Sequence, residues 1–583
     1  MMVDLIVENG RIHTGDPEAP VVDAVAVLNG RIVAAGNDVE GLRARERVDA
    51  HDRVVLPGFN DAHAHSVWFG MTLIETDLSG VRSLDDLYRI IGDRARDGGA
   101  DEWIVASGFN PVLLHGAVPD RDVLDRVSGG RPVWIKHASG HSCQLNGEGL
   151  RRTAALAHLD QEIDGGRIVL DQTGRPTGVL EERAMSFVRD VLLPYPLEVI
   201  ERALDLATAQ YAREGLTSVT DAGVAGGWIG HAPGELAAYQ NAREHAVLRT
   251  RMQVMPVIDA LAGLGVHSGE PARLGLGAGV RTGWGDEWLQ LGPVKVFTDG
   301  SVLGRTAQLS EPYEGCPGYH GYLQEDQESL RRRVLDAYAA GWSLALHAVG
   351  DAALDLALDV IEEGITRYGT RSVPNRVEHG AVVRPDQVAR LAGLAVACVV
   401  QPSFIPTFGE GMRRAIGADR SAWSHRARSL LDAGLPVAFS SDRPVAPGAP
   451  LGGIQAFIER ITEDELPYGP DERLTAGQAV RAATEGSSQV TGQHARKGLL
   501  VAGQLADMVF LQEHPADVAV EDIHSIPVLA TAAGGVFTHR PAPAGNGRYA
   551  RTFPCRPVHS QPHLLGSVPC ELGARADRGN HAP

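Results

Sequence analysis

Residues 54–66 read VVLPGFNDAHAHS. An apolar run ends at Pro57-Gly58, and the pair His63-Ala64-His65 follows. In extended backbone, residues i and i+2 point to the same side, so both imidazoles can reach one metal ion from the C-terminal end of a strand. Alone, a His-x-His pair fits two polar loop histidines equally well. Its weight depends on whether the rest of the chain repeats the pattern.

Working outward, apolar strand-like runs alternate with helical patterns. The runs are residues 53–57, 216–220, 252–257, 291–297, 343–347, 375–379, 395–400 and 436–441. Continuous apolar strands followed by helices indicate a parallel sheet covered on both faces. Eight of them point to an α/β fold of the closed (β/α)8, TIM-like type, with a doubly wound open sheet as the alternative. Four further runs carry a metal-competent or charged residue: Lys295 in GPVKVFTDG, His347 ending SLALH, His379 ending NRVEH and Asp442 ending PVAFSSD. The C-terminal face of such strands is where (β/α)8 enzymes build their active sites. Several such groups on one face point to a metal centre rather than to scattered structural histidines.

Lys295 admits three readings. A buried ammonium is costly unless paired or neutralised, so it could form an ion pair with Asp299, act as a Schiff-base lysine, or carry a carbamate that bridges two metals. Residue chemistry alone does not choose among them. Asp351 reads as a cap for the following helix. Strict alternation assigns Glu378 to the face opposite His379, in a structural pairing. The aromatic residues Trp68, Trp103 and Phe109 are candidates for an apolar lining, with core packing the ordinary role for Trp103.

Both chain ends read as short strands. VDLIVENGRIHTGD and AVAVLNGRIVAAGN place apolar runs around Asn-Gly, a hairpin signal, and LLVAGQLADMVFLQEHP near residues 499–515 has the same texture. The expected organisation is a small β-sandwich domain from residues 1–56 plus 494–545 and a metal-dependent (β/α)8 barrel over 57–493. A large insertion after strand 1, over 70–212, forms a subdomain or lid, and 546–583 form a disordered tail rich in Pro, Gly, Arg and His.

Composition bounds the function. The 583 residues carry a net charge of −19, which argues against a nucleic-acid partner. The five cysteines are odd in number and form no CxxC pair, as in a reduced cytoplasmic protein. No basic-then-apolar leader opens the chain, and no run of about 20 apolar residues could span a bilayer. A homodimer is compatible with all of this.

The ordered motifs NGRIHTGD, LPGFNDAHAH, DEWIVASGFN, RPVWIKHASGHSCQLN, GLTSVTDAG, VKVFTDGS, LHAVGDAALDLALD, RVEHG, VQPSF, SSDRPVAPGAPLGGIQAFIER and GQLADMVFL resemble the amidohydrolase superfamily. The similarity is to its amidohydrolase-3, YtcJ-like branch, which includes N-substituted formamide deformylases. It covers all but the tail after about residue 540. The resemblance implies two divalent metal ions, Zn²⁺ first among them. His63 and His65 would hold the more buried ion, His347 and His379 the second, and N6-carboxylated Lys295 would bridge them. Asp442 would touch the buried ion and shuttle a proton. His141, in the family's Gly-His segment, would contact substrate, and Asp299, Arg305 and Phe109 are further substrate-binding candidates. Phe109 and Arg443 depart from the family pattern, which leaves pocket shape and substrate charge open. The implied reaction is hydrolysis of a linear amide C–N bond in a small molecule, an N-substituted formamide giving formate and an amine. Deamination or cyclic-amide opening on the same scaffold and a non-catalytic regulatory homologue are the alternatives. Lys295 disfavours the first, since deaminases of this superfamily often use one metal without it. A full ligand set disfavours the second.

Overall fold

Phe59–Ala64, the strand that carries His63, runs parallel to Leu216–Val224, which runs parallel to Arg251–Pro256, and that in turn to Leu289–Leu291. A second parallel series follows in chain order: Val294–Phe297, Leu344–Ala348, Arg376–His379 and Ala397–Val399. A parallel bridge from Val257 to Lys295 links the two series. Helices intervene, among them Glu235–Glu244, Gln327–Ala339, Asp351–Tyr368, Pro385–Leu394 and Phe404–Ser421. Helices are the usual connection for parallel neighbours, because a tight turn cannot return the chain to the same edge. Leu216–Val224, Arg251–Pro256, Arg376–His379 and Ala397–Val399 are buried along their length, polar residues included. These features come from a computed structural model. It describes residues 1–540 except 115, 139, 141, 160–162, 164–165, 227–228, 231 and 266–272. The expected tail over 546–583 lies outside the described residues.

Three of the eight expected runs behave differently. Val54–Pro57 is a strand, but it pairs antiparallel with Met508–Leu511 and parallel with Arg11–His13. The first strand of the parallel series is Phe59–Ala64 instead, one glycine further on. Run 291–297 splits at Gly292-Pro293, where proline has no N–H for a ladder. Segment 436–441 forms no ladder. It is tied to the first strand where Ala62 N donates to Phe439 O and Asp442 N donates to His63 O, and Phe439 N donates to Ala482 O on its other side.

The two chain ends build two sheets. One joins Arg31–Ala35, Val25–Leu28, Met2–Glu8 and Arg43–Asp49; the other holds Val21–Val22, Arg11–His13, Val54–Pro57 and the C-terminal strands Met508–Leu511, Val528–Ala533 and Val536–His539. Leu5, Val7, Val27, Ile32, Val55, Met508, Phe510 and Phe537 share one buried cluster. The Asn29-Gly30 hairpin forms, with φ of 52° and 77° at its two turn residues, a conformation that favours Asn and Gly. Asn9-Gly10 is not a hairpin: the chain there passes from one sheet to the other, because Met2–Glu8 and Arg11–His13 pair with different partners.

Of the described residues, 1–71 with 194–540 form one compact unit, and 72–193 form a second. Helix Leu197–Arg213, placed in the insertion by the sequence reading, belongs to the first unit. The insertion has a six-stranded sheet in which Val133–His137, the VWIKH run, lies between Ile104–Phe109 and Ser142–Leu145. No helix among the described residues is long and apolar enough to cross a membrane.

Candidate metal centre

His63 lies within its strand and His65 just past its end, with ring centroids 5.3 Å apart. Asp442 comes to them from the segment after residue 441. Its Oδ1 is 2.8 Å from His65 Nε2 and 3.3 Å from His63 Nε2. Ligand atoms of these three buried side chains all lie within 4.8 Å of one another. Asp61 fixes this meeting: its carboxylate accepts from His63 N, Ser441 N and Ser441 Oγ, so it stitches the first strand to the segment carrying Asp442. Burial raises the Asp61 carboxyl to about 6 against those donors. Asp442 has φ of 56°, in the left-handed region that a non-glycine residue rarely occupies.

His347 and His379 join the same group. Their ring centroids are 4.5 Å apart, and His379 is 5.0 Å from His63. His379 also has positive φ, 72°, so its ring departs from strict strand alternation. Gly380 follows at φ 48°, and a Cβ there would meet Cys398 Sγ at 2.1 Å. Lys295 Nζ lies 4.9 Å from the Phe297 ring, itself 5.2 Å from His347. Among the described residues no ion pair joins Lys295 to Asp299. Burial lowers the Lys295 ammonium to about 8, with Glu378 and Asp442 opposing and Arg376 adding to the drop. Burial, helped by Lys295, brings His347 down to about 3, and burial with the neighbouring His347 holds His379 well below its usual range. Both imidazoles are therefore neutral, the form that binds metal. Burial pushes the Asp442 carboxyl up, but the His63 and His65 rings beside it prevail and hold it well below the usual carboxylate range.

Three of these imidazoles are anchored through one nitrogen. His63 Nδ1 bonds Glu378, His379 Nδ1 bonds Gln401 Oε1 at 2.9 Å, and His347 Nε2 bonds the Gly300 carbonyl at 3.0 Å. His347 Nδ1 is left buried with no hydrogen-bond partner, and His63 Nε2 has only Asp442 Oδ1 near it, at 3.3 Å. Buried polar atoms are nearly always satisfied, and metal-binding histidines typically donate their other N–H to an outer acceptor. The donor set of His63, His65 and Asp442 therefore fits a divalent metal ion.

Other expected site residues lie elsewhere. Asp299 is saturated by the backbone N–H groups of Gln308, Val349 and Gly350, so it clamps the loop after His347 instead of presenting an oxygen to substrate. Burial raises its carboxyl to about 7. Phe109 packs in the apolar core of the insertion with Leu78, Ile104 and Ile135, a core role in place of the expected pocket-lining one. Trp103 is likewise core, and Trp68 lies 5.8 Å from His65. Arg305 sits in a loop, where its guanidinium donates to Glu314 O and Cys316 Sγ. His141 lies outside the described residues. Asp351 does not cap its helix; it accepts from Ser310 and Arg384. The charge of Arg443 is spent on Glu214, at 2.7 and 3.1 Å, and its guanidinium stacks over Phe69. Asp61, Gln401 and Arg376 are partners that sequence reasoning missed, and Glu378 has the structural pairing expected of it, with Arg376 and His63; all lie within motifs quoted above, but nothing in the spacing shows what they bind.

The amidohydrolase family model matches residues 46–539. LONG AFTER FAR-RED 3 of Arabidopsis thaliana is 28% identical over 92% of this chain and 91% of its own length. YtcJ of Bacillus subtilis (strain 168) is 27% identical over 91% and 98%. The N-substituted formamide deformylase of Arthrobacter pascens is 27% identical over 92% and 98%. Among solved structures, an uncharacterized metal-dependent hydrolase from Pyrococcus horikoshii is similar with a TM-score of 0.72 and 27% identity, covering 89% of this chain and 99% of that one. With a family match that takes in both His63-Ala64-His65 and Asp442, the chain belongs to the amidohydrolase family, in its YtcJ-like branch.

Proposed function

We propose that the protein hydrolyses a linear amide C–N bond in a small molecule, with N-substituted formamides as the leading substrate class. The observation that carries this reading is the convergence of His63, His65 and Asp442 within 4.8 Å, beside His347, whose Nδ1 is buried with no hydrogen-bond partner. We read the eight parallel positions as a closed (β/α)8 barrel with the site at its C-terminal mouth. His63, His65 and Asp442 would hold one divalent ion. His347 and His379 would hold a second, with Lys295 as a carbamate between the two, and His and carboxylate ligands suit Zn²⁺. Ions held there would supply Lewis acidity, lowering the pKa of water toward neutrality and polarising the scissile carbonyl.

The chain's own residues then move the protons. Asp442 is a carboxylate at neutral pH, so it accepts a proton from the attacking water as the new C–O bond forms. It returns that proton to the nitrogen as the C–N bond breaks, which releases a neutral amine and formic acid, whose own proton passes to solvent or to the amine to leave formate. An amine leaves poorly unprotonated, so this second transfer matters as much as the first. Glu378, Gln401 and the Gly300 carbonyl hold three imidazoles in orientation throughout. Lys295, lowered to about 8, is partly neutral at physiological pH, and a neutral amine adds to carbon dioxide with loss of one proton.

The test is release of formate and amine from a panel of N-alkyl and N-benzyl formamides by protein reconstituted with Zn²⁺ in bicarbonate. Equimolar formate and amine support the reading. No formate from protein that holds two metals moves the substrate to other amides. A protein that binds no metal refutes the metal centre.

A further inference from the structure

The Glu378 that holds His63 from outside is itself half of a buried ion pair with Arg376, and the catalytic reading leaves open what that pair does for metal affinity. Glu378 has no exposed surface, and Arg376 has none either. The two lie at i and i+2 of one strand, on one face, and Arg376 donates to Glu378 through Nε at 2.5 Å and Nη2 at 3.1 Å. Arg376 Nη2 also donates to Ala62 O at 2.7 Å, the carbonyl next to His63 in the chain. The other end of the pair bonds His63 Nδ1 through Glu378 Oε2. The pair thus grips the first strand twice, by its backbone beside His63 and by the His63 ring.

Resting on the proposed metal centre, we propose that Glu378 is the positioning residue for His63. It fixes the ring with Nδ1–H outward and Nε2 toward Asp442, and so sets the affinity of the site for its first metal ion. Three observations carry the inference. The acceptor is rigid, because Arg376 occupies both carboxylate oxygens. The ring's other nitrogen is turned inward, with Nε2 3.3 Å from Asp442 Oδ1, so Nδ1 is left to Glu378. His379, turned out of alternation by its φ of 72°, takes its own anchor from Gln401, so Glu378 serves His63 and not its chain neighbour.

Charge and reach are separable by mutation. Glu378→Asp keeps the negative charge beside Arg376 and withdraws the carboxylate from His63 by one methylene. Glu378→Gln keeps the reach and an acceptor oxygen but drops the charge. Zn²⁺ affinity is measured by competition with a chromogenic chelator, together with the visible spectrum of the Co²⁺-substituted protein and the melting temperature of the metal-free form. We expect Glu378→Asp to bind the first ion about 10–100-fold more weakly, the usual cost of losing an outer partner, with a changed Co²⁺ spectrum. Glu378→Gln should bind close to wild type, with a lower melting temperature from the unpaired Arg376. Wild-type affinity in Glu378→Asp overturns the inference, and so does a Glu378→Asp protein that loses melting temperature but no affinity. If Glu378→Gln fails to fold, Glu378→Asp decides alone. A wild type that binds no metal instead refutes the metal centre itself.

Discussion

Replacing Asp442 by asparagine removes a proton acceptor and leaves the shape of the side chain almost unchanged. Backbone placement should survive, because Asp442 N donates to His63 O at 2.8 Å and Asp61 holds Ser441 independently. The amide oxygen can still face His63 and His65 from the position of Oδ1, now 3.3 and 2.8 Å from their Nε2 atoms. What is lost is the ability to take a proton from water and give it to the departing nitrogen. A positioned acid–base group contributes about 10²–10⁴-fold, which is about 2.7–5.4 kcal/mol of barrier. The amide that replaces the carboxylate also carries no charge, so metal affinity falls, and the assay must separate the two effects. Formate and amine release are followed at saturating substrate and at rising Zn²⁺, with bound metal counted at each point. The expected result is a kcat reduced by at least about 100-fold at full metal occupancy. Turnover within a few-fold of wild type at full occupancy would refute the shuttle, and activity fully restored by added metal would reduce Asp442 to a ligand.

Two further predictions test the frame around the site. Arg443→Met should destabilise the protein by about 3 kcal/mol in urea unfolding, because it strands Glu214 and removes the guanidinium from Phe69; the double variant Arg443→Met/Glu214→Leu should recover most of that, and equal loss in both would discount the pair. Lys497 is buried beside the Arg251–Asp507 ion pair, and burial lowers its ammonium from 10.5 to about 7. With the folded value depressed, the unfolded chain holds a proton that the folded chain lacks between about pH 7 and 10.5, so the lysine destabilises the fold fully below pH 7 and progressively less above it. Lys497→Met should therefore stabilise by about 3 kcal/mol at pH 8 and by under about 0.5 kcal/mol at pH 10.5; a gain that does not shrink over that range would contradict the burial account.

The parallel α/β core was legible in sequence because its signal is simple: unbroken apolar runs between helical patterns. Boundaries were not. Residues 54–57 and 59–64 are both buried strands, and only the break at Pro57-Gly58 separates a strand of the terminal sheets from the strand that carries His63. The hairpin at Asn29-Gly30 was readable, whereas the identical dipeptide at 9–10 turns the chain between sheets, a difference set by partners far away in sequence. Metal-competent residues were legible as types at strand ends. Their outer partners were not, because Glu378 reaches His63 across 315 positions of chain and Asp61 reaches Ser441 across 380. Periodicity assigned Glu378 to the face away from the site. The left-handed turn at His379 lets both neighbours face His63, and no propensity forecasts φ of 72° at a histidine. Arg443 looked like a determinant of substrate charge because Glu214, its partner, ends a helix 229 positions earlier.

The features that sequence could not reveal share an energetic logic. Left-handed backbone at His379 and Asp442 costs on the order of 1–3 kcal/mol each, and a buried nitrogen without a partner costs about 1–3 kcal/mol more. A chain free to relax would turn these residues out to water. Three buried carboxylates prevent that, Asp61 and Asp299 held mainly by backbone N–H groups and Glu378 by the side chains of Arg376 and His63. Asp61 binds the first strand to the segment of Asp442, Asp299 binds its own strand end to the loop after His347, and Glu378 binds the strand of His379 to the ring of His63. None of the three has to contact substrate for the site to depend on it. They keep bare imidazole nitrogens and a carboxylate facing one another, a geometry that a ligand able to accept their lone pairs finds already organised. The instability at the centre is local and the clamps that resist it lie further out, so a mutation that withdraws a clamp from the ring or backbone it holds, as Glu378→Asp does from His63, should loosen ligand affinity.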